Sequence, residues 1–249
     1  MNVGSRVAII AAAIVLAIWI VVPLYLLVVA VLTAQASSAD YPKPFVPRSP
    51  TTETLSAFAD TLGVISSAVN SLAVALVAIA LALLAGVPAA YVAARAGLGG
   101  RGGLYRFALA GRVFPIAALA VPLATLFARI GFYDSVLAVG IVHAAIALPF
   151  VVLVAAPGFA PAAEGVPARQ RFAVAGGVAA AAGLVFLISW NEVFAASVLT
   201  VQMRTLPAQI FASLATSPLA FKFASALVLI VPGIVVFLLI RRSIVRVWS

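Results

Sequence analysis

Six acids, one histidine and no cysteine are the whole stock from which this chain of 249 residues could build catalytic or metal chemistry. Without cysteine there is no thiolate nucleophile, disulfide or sulfur-ligated metal. A single histidine leaves too few ligands for a zinc site. That histidine, His143, sits on a different apolar segment from most of the acids, so the serines gain no persuasive triad. No glycine-rich loop ends in Lys-Ser/Thr, so the chain is not itself an ATP-hydrolysing engine. The inventory points away from an enzyme, with no catalytic residue, metal or cofactor assigned.

What remains is a few polar side chains in or beside apolar segments. Glu192 follows Trp190 and Asn191 at the end of one such segment. An acid there is costly unless it faces water, protein or a ligand. Two readings stand: the trio lines a translocation path, or Trp190 anchors in the headgroup layer with its polar neighbours beside it. Arg112, in Gly111-Arg-Val-Phe-Pro115, is either a buried charge near that path or a snorkelling side chain, and nearby Arg106 favours the second. His143 reads as a hydrogen-bonded bundle histidine; a proton relay would need a partner, and Asp134 is nine residues away across a segment end. Asn70 reads as a helix–helix hydrogen bond ahead of a solute ligand.

The elements carrying these groups are membrane spans. The composition is 65% hydrophobic and 8% charged, with a mean hydropathy of +1.26, whereas soluble domains carry about a quarter charged residues. Long apolar runs without alternation predict helices rather than a barrel. The expected fold is all-α and polytopic, one domain over 1–249 with six transmembrane helices at 7–32, 64–94, 107–130, 136–156, 172–190 and 219–240. The first run is too long for a signal-peptide core, and Pro23 should kink it. An outer loop at 33–63 carries four prolines and should end in a short helix around Thr54 to Leu62. The stretch 191–218 is mixed and fits a re-entrant or surface segment. GLGGRGG, after the second span, reads as a tight cytoplasmic turn.

Charge sets the orientation. Ten of the fifteen basic residues fall on one side of this layout, against one acid, Glu164, of six. By the positive-inside rule that side, with both termini, is cytoplasmic. The net charge of +9 is thus a topology signal and not a nucleic-acid footprint. The polar loop 157–171 between the fourth and fifth spans lies on the same face and is where a soluble partner would touch.

Several stretches also line up in order: Asn70-Ser-Leu-Ala-Val-Ala-Leu, Gly86-Val-Pro-Ala-Ala-Tyr91 and Arg112-Val-Phe-Pro115. Ile130-Gly-Phe-Tyr-Asp134, Ala147-Leu-Pro-Phe150, Ser189-Trp-Asn-Glu192 and Pro232-Gly-Ile-Val-Val-Phe follow. The succession resembles the inner-membrane permease subunits of carbohydrate ABC importers, the MalG-like branch, over nearly the whole chain. The resemblance implies a multi-pass subunit of a bacterial inner membrane, embedded in lipid. It would pair with a second permease, receive a sugar-like solute from an extracytoplasmic binding protein, and sit on two cytoplasmic ATP-binding subunits. In that family the loop between the fourth and fifth spans carries Glu-Ala-Ala, then Gly, on a helix that docks into the ATPase. Ala162, Ala163, Glu164 and Gly165, with Arg169 beyond, occupy that place here. Pro161 stands where the leading Glu would, and the loop is shorter than the family's, so a degenerate or structural permease half is the alternative. A secondary transporter is disfavoured, since Glu192 alone could serve as its intramembrane carboxylate.

Overall fold

The computed structural model describes residues 3–33, 45–47, 49–95, 103, 106, 110, 111, 116–159 and 167–248. Nine helices are described: α1 (Val3–Leu32), α2 (Glu53–Ala59), α3 (Val64–Arg95), α4 (Ile116–Arg129), α5 (Val136–Phe159), α6 (Pro167–Asn191), α7 (Phe194–Leu199), α8 (Leu206–Ser213) and α9 (Leu219–Trp248). Apolar segments take this form because a helix satisfies its own backbone, which lipid cannot do. Among the described residues five helices are long and apolar enough to cross a membrane, and Ala118–Arg129 is a shorter apolar helix in the place of the third expected span. Most of the first half of that expected span, 107–130, lies outside the described residues.

The chain divides into two compact units. One comprises Met1–Thr61 and Thr216–Ile230. In it, α1 leaves its apolar side chains open nearly all round, Trp19 at 78% exposure being the extreme. Such a helix is built for an apolar medium. The base of the segment between α1 and α2 is tied by a Thr33–Pro50 bridge and by Thr51 N–H donating to the Leu32 carbonyl at 3.0 Å. Tyr25 also donates its hydroxyl to the Phe45 carbonyl, at 2.7 Å. The short helix α2 begins with Glu53, an acid placed well for a helix N-terminus. Its Phe58 meets Phe221 edge to face at 6.0 Å.

The other unit comprises Leu62–Ala215 and Val231–Ser249. Its core is α3, α5 and α6, packed through alanines, with Ala78, Ala82, Ala144, Ala147 and Ala181 around Val151 and Val185. Small residues let membrane helices approach closely, which gives dispersion contact where no hydrophobic effect operates between helices. A methyl group on Gly140 of α5 would lie 2.5 Å from Val77 of α3, and one on Gly86 of α3 would lie 2.6 Å from Val151 of α5. A second cluster joins Phe127 of α4 to Val139 and Val142 of α5 and to Leu199 of α7. At the other end of α3, Tyr91 packs edge to face on Phe159 at 5.6 Å and carries the Arg95 guanidinium 5.2 Å above its ring.

Several boundaries differ from expectation. Helix α5 continues through Pro157 to Phe159, and α6 already begins at Pro167, so both ends of the loop expected at 157–171 are helical, and 160–166 lies outside the described residues. Proline suits the first turn of a helix because its missing N–H has no partner there anyway. Arg169 therefore belongs to the first turn of α6. Helix α9 runs to Trp248, past the expected end at 240. The mixed stretch 191–218 resolves into α7 and α8 with non-helical chain between them.

Two glycines, Gly158 on α5 and Gly176 on α6, separate packing from flexibility. At Gly158 a Cβ would sit 2.8 Å from the Ala173 carbonyl oxygen, against rigid backbone, whereas at Gly176 nothing lies within 4 Å. Gly158→Ala should lower the melting temperature of the detergent-purified protein, by about 1–3 kcal/mol of overpacking. Gly176→Ala should be neutral or stabilising by up to about 1 kcal/mol from helix propensity. Equal melting temperatures for the two variants would refute this packing assignment.

Candidate functional site

Helix α6, in the place of the fifth expected span, stops at Asn191, and the chain then runs as α7, a non-helical stretch at 200–205, and α8. Each helix end leaves backbone groups without intrahelical partners. In this fold they are met by side chains from α3, from the α4–α5 turn, from α6 itself and from Glu192 just beyond it.

Glu192 closes the α6 side of the break. Its Oε1 accepts from the N–H groups of Phe194 and Ala195 at 2.9 and 3.0 Å, and its Oε2 accepts from Ala196 N–H at 3.2 Å. The first turn of α7 is thus capped by a carboxylate one residue before that helix's N-cap, Val193. Oε2 also lies 3.1 Å from Nε2 of His143, whose other ring nitrogen is 2.9 Å from Ser189 Oγ. His143 is fully buried, and the Glu192 side chain is 13% exposed. An ionised carboxylate only accepts, so the hydrogen-bond pattern assigns the proton to His143 Nε2; a neutral ring then accepts from the Ser189 hydroxyl at Nδ1. Ser, His and Glu stand in the order of a nucleophilic triad. Ser189 is only 4% exposed on a packed helix, out of reach of a substrate, so the trio works as a buried hydrogen-bond network.

Asp134 closes the far end. Its carboxylate accepts from the N–H groups of Val201, Gln202 and Met203 at 2.8–3.2 Å. Its own N–H donates to the Leu199 carbonyl at 3.1 Å. To aim both ways the residue takes a left-handed backbone, φ +57°, which an aspartate tolerates better than most side chains do. Tyr133 donates its hydroxyl to the Val198 carbonyl at 3.1 Å. From α3, Asn70 donates to the Arg204 carbonyl at 3.1 Å and Ser71 Oγ accepts from Leu206 N–H at 2.7 Å.

No protein-family model matches the chain. It is 28% identical over 201 residues to the trehalose transport system permease protein SugB of Mycobacterium tuberculosis, covering 72% of this chain and 73% of that protein. It is 29% identical over 223 residues to ORF1 of Streptomyces antibioticus, a protein assigned as an ABC transporter permease, covering 80% of this chain and 95% of that one. In structure it superposes, with a TM-score of 0.66 at 16% identity, on a chain from the crystal structure of a bacterial ABC transporter involved in the import of the acidic polysaccharide alginate. That match covers 97% of this chain and 98% of the other. The fold is that of an ABC transporter permease.

Within this fold, the residues expected to line a path separate. Trp190 is buried and stacks on Phe186, with ring centroids 5.5 Å apart. Asn191 is exposed and donates back to its own helix, to the Leu187 carbonyl at 2.8 Å. Glu192 turns inward onto His143, and Asn70 holds a loop rather than a neighbouring helix. Arg112, Ala162, Ala163, Glu164 and Gly165 lie outside the described residues. The sequence reading took His143 as a hydrogen-bonded bundle histidine and named no acidic partner for it; the structure supplies Glu192, just beyond the antiparallel α6. Ser189 and Glu192, three residues apart across the end of α6, were the available signal for this network. For the Asp134 clamp the sequence held only a left-handed-tolerant residue in a turn.

The clamp has a definite pH sense. Burial alone would raise the Asp134 carboxyl, but the N–H donors of Val201, Met203 and Gln202 and the charge of Arg204 outweigh it and hold it below the usual aspartate value. A lowered folded value means the contribution is complete above about pH 3.9, the unfolded value, and is lost as pH falls through the folded one. Asp134→Asn keeps an acceptor and tolerates the left-handed backbone, so it should cost less than about 1 kcal/mol. Asp134→Val loses both and should cost about 2 kcal/mol or more. Thermal unfolding in detergent measures the difference, and equal costs for the two variants would exclude the clamp.

Proposed function

We propose that the protein is the permease subunit of an ATP-driven ABC importer for a sugar or sugar-like solute, a single transmembrane domain over 1–249 with both termini cytoplasmic. The observation that carries this reading is the agreement between an ABC transporter fold, matched over 97% of the chain, and sequence relatives, matched over 72% and 80% of it, that are assigned as transport permeases, one of them for trehalose. In it the subunit forms the translocation path with a second permease, takes solute from an extracytoplasmic binding protein, and is driven by two cytoplasmic ATP-binding subunits. ATP is hydrolysed by those partners and not by this chain. Asn70, Arg112, Trp190, Asn191 and Glu192 are the residues proposed for the path. The described ones suit a role in shaping the wall: Glu192 and Asn70 fix the broken segment after α6, and Asn191 is the exposed member of the trio.

Glu192→Gln replaces a charged acceptor of four hydrogen bonds by a neutral amide, and charge-assisted bonds are roughly twice as strong as neutral ones. The variant should still assemble into the membrane, yet take up labelled sugar about tenfold more slowly. Wild-type uptake by the variant would remove Glu192 from the path.

Coupling is assigned to the connection between α5 and α6, with Ala162, Ala163, Glu164, Gly165 and Arg169 as the contacts. Support comes from chain position and from the resemblance to the family's docking loop. The end of α5 is well braced for the task, since Phe159 is held by Tyr91 of α3. The chain has no native cysteine, so cysteines at Ala163 and Gly165 should crosslink cleanly to the ATP-binding subunit of an assembled, transport-competent complex. Transport without any crosslink would overturn the coupling assignment, and failure to assemble at all would favour a degenerate permease half.

A further inference from the structure

We propose that His143 is a positioning residue for transport, acting through Glu192: its Nε2–H holds the carboxylate against the first turn of α7 and so fixes the break after α6. The proposal rests on the importer reading for its transport consequence, and on geometry alone for its structural one.

Three observations converge. His143 lies seven residues into α5, about 10 Å of rise from that helix's start. It is fully buried there, and a polar ring in such a place is costly unless both nitrogens are engaged. Both are, by Ser189 and Glu192. The amides of Phe194, Ala195 and Ala196 belong to the first turn of α7, where no earlier helical carbonyl can serve them, so Glu192 is their acceptor. Finally, Glu192 directly follows α6 and is rooted in no other element, so the only described side chain that fixes its carboxylate from α5 is His143. The imidazole therefore ties α5 to the two helices flanking the break, at the segment where the path is placed.

The two ring nitrogens can be tested apart. A glutamine amide nitrogen reproduces the Nε2 donor, whereas the shorter asparagine amide stays at the Nδ1 position, where its oxygen can accept from the Ser189 hydroxyl. His143→Gln keeps the donor to Glu192, His143→Asn keeps only the Ser189 side, and His143→Leu keeps volume without a donor. Hydrogen exchange on the full-length protein in lipid nanodiscs reads the α7 amides directly, with α3 core amides as the folding reference. In His143→Asn and His143→Leu the amides of Phe194, Ala195 and Ala196 should exchange about tenfold faster or more, with His143→Gln close to wild type. Ser189→Ala should leave them protected. Sugar uptake by the assembled transporter should follow the same order, with Gln rescuing what Asn and Leu lose. Gln and Asn behaving alike, or Leu matching wild type, would overturn the proposal, since either outcome makes the ring a packing element. Exchange that splits as expected while uptake does not would overturn the role in transport. A wild-type complex that imports no sugar would overturn the importer reading instead, and the exchange comparison would still decide whether His143 holds Glu192.

Discussion

A peptide backbone that leaves the helix inside an apolar medium must find every hydrogen bond within the protein, and this one requirement organises the larger unit. Between Asn191 and Leu206 the chain contains two helix ends, a six-residue helix and a non-helical stretch. Irregular backbone of this kind is tolerated in a membrane protein only where protein or a water-filled cavity surrounds it. Here the surrounding protein is specific. Glu192 serves the start of α7, Asp134 and Tyr133 serve its end, and Asn70 and Ser71 serve the approach to α8. Much of the polar chemistry in an otherwise apolar unit is concentrated on this segment.

That concentration explains why the polar residues looked like pathway ligands in the sequence and turn out to be engaged with backbone. An acid or amide within an apolar run marks a place where something polar must be met, but the run does not say whether the partner is a solute or the chain itself. Glu192 and Asn70 stood out correctly. Their partners, three amides of α7 and the carbonyl of Arg204, are groups every residue carries and no residue type announces.

The spans were legible because lipid imposes a length and a composition on them. The start of α3 at Val64 and that of α5 at Val136 fall where the apolar runs begin. The junction of α5 and α6 was less legible. Pro157 and Pro167 fell in the loop expected at 157–171, yet one lies in the last turn of α5 and the other in the first position of α6. The His143–Glu192 pair was not legible because it needs the crossing of two antiparallel helices, which hydropathy does not encode. Asp134 was passed over for a simpler reason: its value lies in a left-handed backbone and a set of amides far along the chain.

The paired glycines between α3 and α5 carry a mechanical implication. Each helix offers one glycine hollow to one valine of the other, Gly140 to Val77 and Gly86 to Val151. Sliding either helix along the other by a single turn, about 5.4 Å, would drive both valines out of their hollows onto filled surface. The two helices are therefore keyed, like notched rods, against axial translation. Any rearrangement of the bundle that opens one side and closes the other must carry α3 and α5 together as a single strut, and the displacement has to be taken up at contacts with other helices.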